Sequence, residues 1–181
     1  MKKLNIENIE SVFDRVLSTR SWKQLQNKFN SSSHIYMVGN GGNSAIADHG
    51  AIDIMRHTDK KIMSPGSAVL ATSIINDAGF DNWMSDWMKF QIRGMSIEQK
   101  KSSLFLGISA SGTSKNILSA IEFCNKNDIE TAIIAGSQLA LSSHATVVNL
   151  NVNYYHTAEV LTLALLYQLI IGAGFTCPKI T

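Results

Sequence analysis

The sequence predicts an α/β protein built on a doubly wound, flavodoxin-like parallel sheet of five strands. Three observations predict it. Short apolar runs ending in glycine or serine alternate with segments of helical periodicity. A chain of 181 residues with 45% hydrophobic and 17% charged residues can bury a full core. Strands separated by helices also call for crossover connections and a sheet covered on both faces.

Along the chain, residues 7–29 read as one amphipathic N-terminal helix carrying Ile9, Val12, Phe13, Val16, Leu17, Trp22, Leu25 and Phe29. HIYMVG (34–39) reads as a buried strand, and SAIADHGAIDIMRH (44–57) has helical spacing. SAVLATSI (67–74) is taken as the second strand, followed by the turn NDAGFDN and a helix with Trp83, Trp87, Phe90 and Ile92. The two tryptophans are expected in the core. SLFLGIS (103–109) is a third strand and TSKNILSAIEFCNKND (113–128) a helix. ETAIIAG (130–136) and TVVNLNV (146–152) complete the sheet. The apolar segment 160–175 closes the chain as a buried helix; it is shorter than the ~20 residues a membrane span requires. With no repeat, linker or low-complexity tract, the expected organisation is a single domain, 1–30 forming the N-terminal helix and 31–181 the α/β sandwich.

Composition narrows the partners. A net charge of +2, with no clustering of Lys and Arg, gives no basic patch for nucleic acid. The N-terminal stretch MKKLNIENIE carries acids and no apolar core, so it does not read as a signal peptide. Two cysteines are too few for a disulfide framework or a cysteine zinc site, and a cytoplasmic location is expected. Cys124 is expected buried in its helix and Cys177 on a tail.

In doubly wound sheets, ligands bind outside the carboxyl ends of the strands. The loops of interest are therefore 39–44, 75–82, 109–114 and 136–141. GNGGNS (39–44) approaches a dinucleotide-binding fingerprint, but no acid ends the second strand to hold a ribose. GISASGTS (107–114) approaches a nucleoside-triphosphate loop, but Thr113 stands where a lysine would reach the phosphates. What remains is a strand-to-helix turn with the hydroxyls of Ser109, Ser111, Thr113 and Ser114 and the amides of a helix start. Such a set, lacking a fixed cation, fits a single phosphate monoester, as on a sugar phosphate.

His49 and Asp53, at i and i+4, share one helix face and could form a base–orienter pair or hold a metal. His156, at the start of the last helix, reads first as a helix-start or surface residue.

At these residues the sequence resembles the sugar isomerase (SIS) domain family, and within it the phosphoheptose isomerases. GNGGN is similar to the family's GNGGS turn, GISASGTS to its GIS-[TS]-SG-x-S phosphate loop, and NDAGFDN to its ND-x-GF segment. The resemblance implies a sugar-phosphate ligand, aldose–ketose isomerisation through an enediol, and a homotetramer (or dimer) with sites at subunit interfaces. It implies that Ser109, Ser111, Thr113 and Ser114 hold the phosphate and that Asn40, Gly41, Asn43 and Asp77 meet the sugar. It also implies that Asp53 stands where the family has its catalytic Glu and His49 where it has a zinc ligand.

The last helix departs from the pattern. TAEVLTLALL keeps Glu159, but Ala158 replaces a ligand Gln and Leu166 falls at the catalytic His. His49 is then the remaining candidate metal ligand, and a four-ligand zinc site is not expected. Two functions stay open: an isomerase using Asp53 and His49, or a sugar-phosphate sensor or interaction module that has lost catalysis.

Overall fold

The computed structural model describes residues 8–137, 145–177 and 179–180. Its centre is a five-stranded, all-parallel sheet of β1 (His34–Gly39), β2 (Lys61–Met63), β3 (Ser103–Ser109), β4 (Glu130–Ala135) and β5 (Thr146–Asn149), in the order β2-β1-β3-β4-β5. The order is the flavodoxin-like one the sequence predicts, and its direction reverses between β1 and β3. Strands β1, β3 and β4 were legible because they are apolar almost throughout, as strands buried on both faces must be. Alternation sorts their side chains: Ile35, Met37, Leu104 and Leu106 enter one core, whereas Tyr36, Val38 and Phe105 enter the other.

The first core lies under α1 (Ile9–Ser18), α2 (Arg20–Ser31), α3 (Gly42–His57) and α8 (Tyr155–Gly172). The second lies under α4 (Ala68–Ala78), α5 (Trp83–Gln91) and α7 (Lys115–Asn125), and it buries Trp83 and Trp87. A short α6 (Ile97–Lys101), opened by a Ser96/Gln99 capping box, leads into β3. No helix is long and apolar enough to cross a membrane among the described residues.

Three readings of the sequence need correction. The N-terminal helix is two helices, broken where Thr19 adopts extended backbone, ends α1, and accepts the Trp22 N–H through its hydroxyl to start α2. SAVLATSI is not a strand but most of α4; the second strand is Lys61–Met63, a three-residue edge pairing with His34–Tyr36. The apolar run misled because α4 buries only Ile74 and leaves Val69 78% exposed, so its apolar residues do not mark a sheet interior. The loop following the second strand is consequently 64–67, not 75–82. The last strand is also shorter than read, ending at Asn149, and residues 138–141 of the fourth loop lie outside the described residues.

Candidate functional site

The reversal of strand order brings two loops together, the β1–α3 turn and the β3–α7 turn. Asn40 and Asn116 clasp them. The Asn40 amide donates to Asn116 Oδ1 at 3.0 Å, and the Asn116 amide donates to Asn40 Oδ1 at 2.9 Å. Asn116 is fully buried, and its Oδ1 also accepts the Ile117 N–H at 3.0 Å. Asn40, expected on the sugar, is thus engaged by the opposite loop. Gly41 then takes φ 56°, ψ −125°, a conformation closed to side-chain-bearing residues, and the turn enters α3 without a side-chain cap. Asn43 is nearly buried and its N–H bonds to Asn40 O at 3.1 Å.

Across the clasp, Ser109 ends β3 and is almost fully buried. Its Oγ accepts the Gly112 N–H at 3.1 Å and lies 3.0 Å from Ser114 Oγ. Gly112 turns the chain at φ 73°. Ser111 Oγ accepts from the Thr113 amide and from the Thr113 hydroxyl, both at 3.2 Å. Ser114 precedes α7 without capping it by its side chain. The four hydroxyls therefore line one turn at the start of a helix, whose first N–H groups carry the positive end of the dipole. A cavity of about 190 Å³ adjoins this turn, lined by Ala110, Ser111, Gly136, Ser137 and the residues around the start of α8.

Asp77 sits in the last turn of α4, exposed, where it accepts from the Asn76 amide at 3.1 Å. The turn after it does approach α7: Asp81 lies 3.6 Å from the Lys115 ammonium, and the Ser119 hydroxyl reaches Asn82 Oδ1 at 3.4 Å. Lys115, the first residue of α7, was passed over in the sequence although it directly follows GISASGTS.

His49 and Asp53 do share a face of α3, with Nε2 3.3 Å from Oδ2. The residue that joins them was missed. Tyr167 of α8 donates its hydroxyl proton to Asp53 Oδ2 at 2.8 Å and lies 3.0 Å from His49 Nε2. The hydrogen bond to Asp53, then burial and the Asp53 charge, raise the Tyr167 pKa above that of a free phenol. One signal could have found it: beyond Glu159, Tyr167 carries the only titratable side chain on the last helix.

A zinc site of the implied kind does not fit these residues. Ala158 is a buried methyl. Leu166 is buried in the core against Gly50, where a Cβ would collide with its Cδ1. Among the described residues no three His, Cys, Asp or Glu side chains converge. Glu159, by contrast, sets its carboxylate directly over Gly42, the first residue of α3. A carboxylate there takes up the positive end of α3. His156 lies in the first turn of α8 and stacks on Tyr154 with ring centroids 5.4 Å apart.

No protein-family model matches the chain. It is 31% identical over 153 residues to the phosphoheptose isomerase of Sulfurimonas denitrificans, the match taking in 75% of each protein. It is 35% identical over 111 residues to phosphoheptose isomerase 2 of Campylobacter jejuni, and there it spans 56% of this chain but only half the length of the relative. A solved phosphoheptose isomerase from Neisseria gonorrhoeae shares the fold, with a TM-score of 0.77 over 92% of this chain and 91% of that one at 19% identity.

Proposed function

The chain belongs to the phosphoheptose isomerase family, and from that premise we propose that it binds a sugar phosphate and interconverts its ketose and aldose forms, sedoheptulose 7-phosphate being the substrate class. The observation that carries this reading is the Asn40–Asn116 clasp, which fixes the glycine-rich turn against the serine loop at the point where strand order reverses. In this reading Ser109, Ser111, Thr113 and Ser114 hold the phosphate, with the turn Asn40–Asn43 facing the sugar and Asp77 approaching from the α4 end.

Isomerisation needs a base at carbon and an acid at oxygen. Asp53, oriented by His49, takes a proton from C1 of the ketose while the C2 oxygen gains one, giving the enediol. Returning a proton to C2 as the C1 hydroxyl gives one up yields the aldose. No step is assigned to zinc, since the donor set does not match.

Asp53 lies ten residues past Asn43 on α3, ~15 Å along the axis. An extended seven-carbon sugar phosphate spans roughly 10 Å from phosphorus to C1 at the advance per bond of an extended chain. That mismatch supports a site completed between copies of the chain, as a dimer or homotetramer. Ile52 and Met55 of α3 and Met63 of β2, each about half exposed, supply apolar surface for such an interface. A cytoplasmic location accords with two free cysteines, of which burial pushes the Cys124 thiol far above its ordinary pKa.

Proton NMR in D₂O with sedoheptulose 7-phosphate tests the reading. Deuterium entering at carbon together with turnover is expected; neither appearing overturns isomerisation. Thermal stabilisation by the sugar phosphate without exchange would leave a binding protein in its place. Ser109→Ala should remove most of that stabilisation.

A further inference from the structure

We propose that Tyr167 is the positioning residue that makes His49 and Asp53 a working acid–base pair, the phenol on α8 tying together two side chains of α3. The inference rests on the isomerase reading of the same site and assigns a role to a residue that neither the glycine-rich turn nor the serine loop contains.

The argument starts from proton counting. A phenol has one proton to donate, and it goes to Asp53 Oδ2 at 2.8 Å. The contact with His49 Nε2 at 3.0 Å must then run the other way, with the imidazole N–H donating to the phenol oxygen. This fixes the neutral His49 in its Nε2–H tautomer and leaves Nδ1 with the lone pair. Asp53 Oδ2, 3.3 Å from the same Nε2, is held by the phenol, leaving Oδ1 for a substrate proton. A short chain, His49 N–H to Tyr167 O–H to Asp53, thus assigns each atom one role.

Burial suits this assignment. The Asp53 side chain is 17% exposed, whereas His49 is 56% exposed and reachable. The two rings meet edge-on with centroids 6.5 Å apart, so Tyr167 also limits the swing of the imidazole. The groups facing Tyr167 are Asp53 and His49 from α3 and the Cys177 thiol from the segment after α8; the two acidic ones both favour the protonated phenol. Tyr167 therefore stays a hydrogen-bond donor throughout the neutral range. Its anchorage is firm because Leu166 and Leu165, its neighbours on α8, are buried in the core shared with α3. A displacement of ~1 Å in a base–acid pair is enough to cost on the order of 100-fold in rate.

Tyr167→Phe keeps the ring and removes only the hydroxyl. Two measurements on the intact protein test the role. With sedoheptulose 7-phosphate, Tyr167→Phe is expected to lower kcat roughly 10- to 100-fold with KM within about twofold. Native-like kcat overturns the proposal. The second measurement needs no turnover: nitrogen-15 NMR of the neutral His49 ring in both proteins. The native ring should hold the Nε2–H tautomer that donates to the phenol, and Tyr167→Phe should shift the tautomer ratio; identical ratios overturn the coupling. If the ratio shifts but the native protein exchanges no deuterium at carbon, the isomerase reading fails and the positioning role falls with it.

Discussion

Asn40 and Asn116, 76 residues apart in sequence, satisfy each other's side-chain amides through two hydrogen bonds of 3.0 and 2.9 Å. The pair joins the turn after β1 to the first turn of α7, which follows β3, so it sets the distance between the glycine-rich turn and the serine loop.

Asn116→Ala leaves the Asn40 amide and the Ile117 N–H without their side-chain partners in a buried setting. A loss of about 1–3 kcal/mol is expected. For a chain of this size that corresponds to a Tm lower by roughly 2–4 °C per kcal/mol, read by differential scanning calorimetry. The stabilisation conferred by inorganic phosphate should fall with it, since the serine loop loses its tether to the turn.

Leu166→His restores the residue type the family resemblance implies at this position, yet it should not restore a metal site. Leu166 is 1% exposed and wedged against Gly50. An imidazole there is buried without partners, at a cost of about 3 kcal/mol. Urea denaturation should show that loss, and added zinc should leave the midpoint where it was.

Alkaline pH should separate the native protein from Tyr167→Phe. The folded-state pKa of Tyr167 is raised above its free value of 10.0. Its contribution to stability is therefore fully present below pH 10 and is lost as pH rises through the raised value. Tyr36, raised by burial and by Cys124, acts in the same sense and remains in both proteins. Comparing denaturation midpoints at pH 8 and near pH 11, the native protein should lose more stability than the variant.

Met55→Glu places a charge in the exposed apolar patch around Ile52 and Met63. If copies of the chain meet there, light scattering should show a smaller particle than for the native protein, with the far-ultraviolet circular dichroism unchanged. An unaltered mass would remove this patch from the interface.

The central strands were legible because burial on both faces leaves a continuous apolar run, and HIYMVG and SLFLGIS end where β1 and β3 end. The short edge strand Lys61–Met63 was not legible: it is exposed, buried, exposed over three residues, too brief for a period to register. The break at Thr19 had a local sign, a threonine able to cap the helix that follows, but the apolar stripe runs on across it because both helices pack on one core. Of the site, the serine loop and the His49/Asp53 face were legible because each is local: one turn, and one i, i+4 spacing.

By itself the sequence determined the sheet class, the gathering of four hydroxyls in one turn, and the residue types at Ala158 and Leu166, since each depends on neighbouring residues or on residue type. Tertiary structure alone decided that SAVLATSI is a helix, that Asn40 serves Asn116, and that Tyr167 sits on Asp53. Those relationships join positions tens to more than a hundred residues apart, or depend on which face a helix presents. Local periodicity carries neither; only the packing of α3 against α8 and of β1 against β3 does.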